Sequence, residues 1–288
     1  MRNIPPKESG EFTCNILDRG GVSMKIALAG KGGVGKTTIS AALIGLFAER
    51  GHRVFAVDAD PDTNLGVTLG FPSHVLDRLT PIIELKDLIE ERTGTGAFFV
   101  ANPDVRDILD RHAVQVGSVS LFRMGGVKAA GTQCYCRENA FLKALVSSLV
   151  LGDKDLVVLD MGAGIEHLTR GTASGVDLLL VVTEPTCVSA ESARTIARLG
   201  RDLGVPNVRV LGNKVRSERE RRFLAETFGH DLVGVVPYDE TVAEAALEPA
   251  VAGPSGPEPA LGVLLGGLRR SLEDLYPTLA GLAGGPEA

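Results

Sequence analysis

The chain is predicted to fold as one α/β domain, a mostly parallel sheet flanked by helices on both faces. Three observations carry this. Short apolar runs alternate with helical patterns along the chain, the signature of repeated strand–helix units in a parallel sheet. A glycine-rich loop of the form G-x-x-x-x-G-K-T joins the first of these runs to the first helix at residues 30–37. With 288 residues, 44% of them hydrophobic, the chain can bury a substantial core as a single unit.

The elements follow in order. Residues 1–23 contain Pro5, Pro6, Gly10, Gly20 and Gly21 without sustained periodicity and read as a flexible extension. The predicted strands are residues 25–29, 53–58, 118–123, 156–160, 178–183, 208–213 and 232–235. An alanine-rich helix occupies 37–50. The stretch 71–116 is less regular, holds a short amphipathic helix near 85–92 and reads as a peripheral insertion. A Pro/Gly-rich connector at 253–259 leads to a final helix near 261–276, so the domain spans 24–278 and residues 279–288 form a loose tail.

Composition limits the partners. A net charge of −6 argues against a broad nucleic-acid clamp, and Arg216, Arg219, Arg221 and Arg222 are interleaved with acids, as on a solvated helix face. No apolar run reaches the roughly 18 residues of a membrane span. The amino-terminal residues hold charges but no apolar secretory core, so a cytoplasmic protein is expected. In that reducing compartment the four cysteines are thiols or metal ligands before they are disulfides.

The loop Lys31-Gly32-Gly33-Val34-Gly35-Lys36-Thr37-Thr38 carries the first chemistry. Its glycines let backbone N–H groups curl around phosphates, Lys36 reaches the terminal phosphates, and the Thr37 hydroxyl can ligate Mg²⁺. The chain therefore reads as a P-loop NTPase. Lys31 is too early in the loop to replace Lys36, and a second buried cation is costly unless it meets an anion. It resembles the signature lysine of the deviant Walker A ATPases, the group containing MinD, ParA and the nitrogenase iron protein. In that group the lysine reaches across a dimer to the partner's nucleotide, so the resemblance implies a homodimer, transient or dependent on nucleotide or metal.

Further acids fall at strand ends, where open α/β sheets bind ligands. Asp58-Ala59-Asp60-Pro61-Asp62 resembles the switch I segment of the same group, which makes Asp60 the water-positioning residue and places Asp58 nearer the metal. Asp62 reads better as a helix cap. The apolar run ending in Asp160-Met161-Gly162 reads as Walker B entering switch II, with Asp160 holding Mg²⁺ through water. Lys31, Lys36, Asp60 and Asp160 form a sufficient catalytic set for phosphoryl transfer to water, which asks the protein for positioning and charge. Gly212-Asn213-Lys214-Val215 is followed by Arg216, where guanine-specific N-K-x-D places an acid, so adenine is preferred, with Asn213 at the base and Pro237-Tyr238-Asp239 completing the pocket.

Cargo is argued from Cys134-Tyr135-Cys136. An arbitrary C-x-C is as well read as two structural thiols. Two thiolates per subunit become four across a twofold, enough for tetrahedral Zn²⁺ or square-planar Ni²⁺. The neighbourhood, Cys134-Tyr135-Cys136-Arg137-Glu138-Asn139 and then Gly164-Ile165-Glu166-His167-Leu168-Thr169-Arg170-Gly171-Thr172, resembles the CooC-type ATPases from Met24 to about Tyr276. Gly162 stands where an acid is common in that family. The resemblance implies a nickel-insertion ATPase for carbon monoxide dehydrogenase, with Zn²⁺ able to substitute. Cys187 reads as a small core residue. The rivals are a ParA- or MinD-like positioning ATPase, which would need a basic face or a cationic membrane helix, and an iron–sulfur reductase, which would need cysteines on both sides of Walker B.

Overall fold

A computed structural model describes residues 23–60, 62–94, 100, 103–125, 141, 144–146, 155–162, 175–245 and 259–283. Eight strands form one sheet: β1 (Met24–Gly30), β2 (Arg53–Ala59), β3 (Val114–Val116), β4 (Val119–Arg123), β5 (Asp155–Met161), β6 (Leu178–Thr183), β7 (Asn207–Val215) and β8 (Leu232–Pro237). Their spatial order is β3-β4-β2-β5-β1-β6-β7-β8. All neighbours are parallel except the β3–β4 hairpin at one edge, whose first strand lies in the stretch that reads as irregular in sequence. The chain runs outward from β1 through β2 to the edge strand β3, turns back through β4, returns to β5, and then builds β6, β7 and β8 on the other side. That reversal flanks β1, and its carboxyl end is where such sheets open a crevice.

The strands are apolar at nearly every position because both faces are covered. Met24, Ile26 and Leu28 of β1 enter one core, Ala27 and Ala29 the opposite one, and β5 divides in the same way with Leu156 and Val158 against Val157 and Leu159. Such period-two division fixes the register, since a one-residue slip would exchange the two sets. Over the first core lie α1 (Lys36–Glu49), the short α2 (Leu65–Thr68) and α3 (Ser73–Leu76), and the carboxyl-terminal helix. Over the second lie α4 (Lys86–Thr93), α5 (Arg106–His112), α6 (Cys187–Asp202) and α7 (Glu218–Phe228).

Helix α1 is apolar around its whole circumference, with Ile39 to Phe47 all buried. The reason is a second cover. After α8 (Glu240–Ala245), α9 (Pro259–Ala283) packs on the outer side of α1, with Phe47 and Tyr276 at a centroid separation of 5.2 Å and Arg269 donating to Glu49 at 2.8 Å. A helix hydrophobic all round is one buried on all sides. The sequence predicts this last helix over 261–276 and a tail from 279. It instead runs through Pro277 to Ala283, and Leu279 is 0% exposed. The extension at 1–22 and the tail beyond 283 lie outside the described residues. Among the described residues, no helix is long and apolar enough to cross a membrane.

Candidate functional site

The phosphate loop occupies the turn from β1 to α1. Gly30 lies against the neighbouring strand so closely that a Cβ there would meet the Val182 carbonyl oxygen at 2.4 Å. Gly35, the residue before α1, has φ of 92°, and its Cβ would stand 2.5 Å from Asn213 Nδ2. That nitrogen is not free to withdraw, because it donates to the Val34 carbonyl at 2.8 Å. Lys36 is 7% exposed, its Nζ donating back to the Lys31 carbonyl at 3.3 Å, and the Lys31 side chain is exposed. The first N–H groups of α1 have no helical acceptor, which leaves them as donors for an anion. Gly35→Ala is expected to cost stability by about 1–3 kcal/mol and to weaken ATP binding, since both backbone and neighbour oppose the methyl. Denaturant melts and calorimetric titration of the same samples check it.

Strand β7 braces this loop from outside. Besides the Asn213 bond, Lys214 Nζ donates to the Gly33 carbonyl at 2.7 Å and to Glu184 Oε1 at 2.7 Å. Lys214 has φ of 57°, the one non-glycine residue with positive φ among those described. A strained backbone held by three tethers is a common mark of a working site. The sequence reading places Asn213 at the base; in the structure its amide also holds the loop. The clamp by Lys214 and Glu184 has a weak sequence signal, the lysine of the N-K pair, while Glu184 has none.

The acids meet at the carboxyl ends of β2 and β5. Asp58 and Asp160 are register partners on these adjacent strands, and each is 1% exposed. Asp58 accepts from the Asp60 and Leu65 backbone N–H groups at 3.3 and 3.2 Å, which folds the segment after β2 around its carboxylate. Burial, and then the Asp160 charge beside it, push its pKa up to about 7. Asp160 is pushed up to about 6 by burial, against the stabilising hydroxyls of Thr37 and Ser40, the latter donating at 2.9 Å. Its Oδ2 is buried with no hydrogen-bond partner. A buried oxygen left unpaired beside a second carboxyl is costly, and a divalent cation relieves both defects. Thr37 and Asp160 thus fit Mg²⁺. Each Asp58 oxygen accepts one backbone N–H and keeps a lone pair on the Asp160 side, so Asp58 anchors the following turn and stands beside the same metal-binding position. Asp60 is half-buried and accepts from the Asp62 N–H at 2.9 Å.

A cleft of about 900 Å³ connects these parts. Gly32, Gly33, Gly35, Lys36, Thr37 and Thr38 line its phosphate end, and Asp60 and Asp62 one wall. Asn213, Arg216, Pro237 and Tyr238 line the far end, over Leu268 of α9. Nothing in the sequence pointed to Leu268, whose contribution depends on how α9 docks. Cys187 is exposed at the start of α6, against the expectation of a core residue, because the Thr186 cap sets it in the first helical turn. Cys134, Cys136 and the switch II residues beyond Gly162 lie outside the described residues. Among the described residues, no cluster of three or more His, Cys, Asp or Glu could hold a metal.

A mostly parallel sheet with a phosphate loop on an interior strand, a hydroxyl–carboxylate pair fit for Mg²⁺ and a cleft running on to Asn213 and Tyr238 defines a P-loop nucleotide hydrolase. Residues 25–250 match the CobQ/CobB/MinD/ParA nucleotide-binding domain. The carbon monoxide dehydrogenase accessory protein CooC of Rhodospirillum rubrum is 41% identical over 227 residues, 77% of this chain and 86% of that one. An ATP-binding protein of Methanocaldococcus jannaschii is 40% identical, over 76% of this chain and 87% of its own. Among solved structures, the septum site-determining protein MinD of Pyrococcus horikoshii, complexed with Mg-ADP, matches with TM-score 0.64 and 21% identity over 91% of this chain and 98% of that one, a likeness of fold. The chain belongs to the CobQ/CobB/MinD/ParA nucleotide-binding family and, within it, to the CooC-type group. It is an ATPase.

Proposed function

We propose that this ATPase is a nickel metallochaperone for carbon monoxide dehydrogenase, acting in the cytoplasm as a homodimer. The observation that carries the reading is 41% identity to the CooC accessory protein over 77% of the chain, joined to a C-x-C at Cys134 and Cys136. The cargo is one nickel ion, gathered by four thiolates across a twofold axis; Zn²⁺ satisfies the same ligands. The exposed Lys31 is free to reach the partner's nucleotide.

The geometry supports a link between cargo and hydrolysis. Strand β4 ends beside β2, with Arg123 the register partner of Asp58 and the Met124 N–H donating to the Asp58 carbonyl at 2.8 Å. In sequence the two cysteines follow β4, and the end of that strand pairs with the strand end that positions the hydrolytic acids. Bound Mg²⁺ supplies charge neutralisation of the terminal phosphates. Lys36 and the loop N–H groups hold those phosphates in line, and Asp60 orients the attacking water. Loss of the γ-phosphate frees the turn anchored on Asp58, which borders the end of β4. Nucleotide and nickel then act as reciprocal ligands of one dimer equilibrium.

Equilibrium dialysis with ⁶³Ni tests this on the full chain, alone and with ATP or ADP, alongside sizing chromatography. The expected result is one nickel per dimer, an affinity that changes with nucleotide, and loss of binding in a Cys134→Ser/Cys136→Ser variant. Binding that persists in the double variant would remove the C-x-C site. Affinity equal in every nucleotide state would remove the coupling.

A further inference from the structure

The base end of the cleft contains a pair that neither the phosphate chemistry nor the nickel reading uses. The Arg216 guanidinium lies over the Tyr238 ring, Cζ 3.7 Å from the ring centroid, and both side chains line the cleft. Local structure holds them together. The Tyr238 N–H donates to the Val215 carbonyl at 2.9 Å, extending the β7–β8 pairing one residue past the strands and setting Tyr238 beside Arg216. On the other side, Ser217 caps α7 by accepting the Glu220 N–H, while the Glu220 carboxylate accepts the Arg216 N–H at 2.6 Å. The arginine is thus fixed at its backbone from α7 and at its side chain by an aromatic face. The apolar side chains of Val242, Ala243 and Leu268 line the same end of the cleft.

Arg216 occupies the fourth position of the motif that Asn213 opens, where a guanine reader carries an acid. The chemistry of the two bases makes that exchange meaningful. Guanine presents donors at N1 and N2, which a carboxylate accepts. Adenine presents an acceptor at N1 and no amino group at C2. A guanidinium is donor-only. It complements the adenine N1 acceptor and opposes the guanine N1–H and N2 amino donors, the reverse of the acidic reader. Stacking on Tyr238 keeps the donor fork planar and limits the rotamer freedom lost when the base arrives.

We infer that Arg216, positioned by Tyr238, is the residue that selects adenine over guanine, by donating to the N1 acceptor of the base. The inference rests on nucleotide binding at this cleft and not on the identity of the cargo. Affinities for ATP, GTP and 1-deaza-ATP, which lacks the N1 acceptor, are measured by calorimetry on the full chain and its variants. Wild type is expected to bind ATP about tenfold more tightly than 1-deaza-ATP, the scale of one base-edge contact, and Arg216→Ala to erase that difference. Arg216→Asp is expected to shift the ATP-to-GTP preference toward GTP by more than about tenfold. Tyr238→Phe should keep the preference and Tyr238→Leu should reduce it, a contrast that a purely structural tyrosine would not produce. The inference is overturned if Arg216→Ala weakens ATP and 1-deaza-ATP in the same proportion, or if Arg216→Asp leaves the ATP-to-GTP ratio within about twofold of wild type. Absence of nucleotide binding in wild type would instead remove the ATPase reading itself.

Discussion

Asp60→Asn is expected to slow ATP hydrolysis by about 10²- to 10⁴-fold, the range carried by a positioned acid–base group, while ATP still binds. Three features single this acid out. Asp58 is committed to the backbone of the turn, with both oxygens accepting N–H groups. Asp160 is buried against Thr37 and Ser40, and its remaining oxygen is buried and unpaired, which suits a cation and keeps it from bulk water. Asp60 alone of the three lines the cleft while remaining half-buried, so it meets both nucleotide and solvent. The amide is isosteric and keeps an acceptor for the Asp62 N–H, which it holds at 2.9 Å in the wild type. The loss therefore falls on the charge that orients and polarises water. Single-turnover hydrolysis with separately measured ATP affinity checks the prediction. A rate within about threefold of wild type would move the role to another group, and a parallel loss of ATP binding would make Asp60 a binding residue instead.

The parts of this site that were legible in sequence are those whose chemistry needs adjacent residues. The phosphate loop is one continuous segment, and Gly30, Gly35 and Lys36 are specified by steric and charge requirements local to it. The strands were legible because burial on both faces makes them apolar throughout. Short β3 was not, since three residues at a sheet edge leave no pattern of their own. The contributions of Glu184 and Leu268 come from elements far apart in the chain, and only the sheet order and the docking of α9 bring them to the cleft. Cys187 was misplaced for the opposite reason. Its place at the turn from a buried strand into a helix suggested a small core residue, but the Thr186 cap sets it, exposed, in the first turn of α6.

The nucleotide-free, Mg²⁺-free protein is expected to lose stability as pH rises from about 4 to about 7, because Asp58 holds its proton to about 7 in the fold against an ordinary 3.8. The sign follows from proton binding: between those values the folded chain keeps a proton that the unfolded chain has released, so rising pH favours unfolding, and the loss is complete above the folded value. A titration displaced that far corresponds to about 4 kcal/mol at 1.36 kcal/mol per pH unit, an upper figure, because removing charge at either acid also relieves the other. Asp160, raised to about 6, loses its share earlier in the same window. Arg123 and Lys36 oppose the effect from their sides without abolishing it. Asp58→Asn separates the contributions. One amide oxygen cannot accept from both Asp60 and Leu65, so the variant should be less stable than wild type by about 1 kcal/mol near pH 5. Near pH 8 the order should reverse by about 2 kcal/mol, because the buried charge is gone. Urea unfolding at both pH values measures the crossing, and saturating Mg-ADP should flatten the wild-type profile by pairing the carboxylates with a cation. Stability independent of pH across this window would mean that the two acids are already charge-compensated in the empty site.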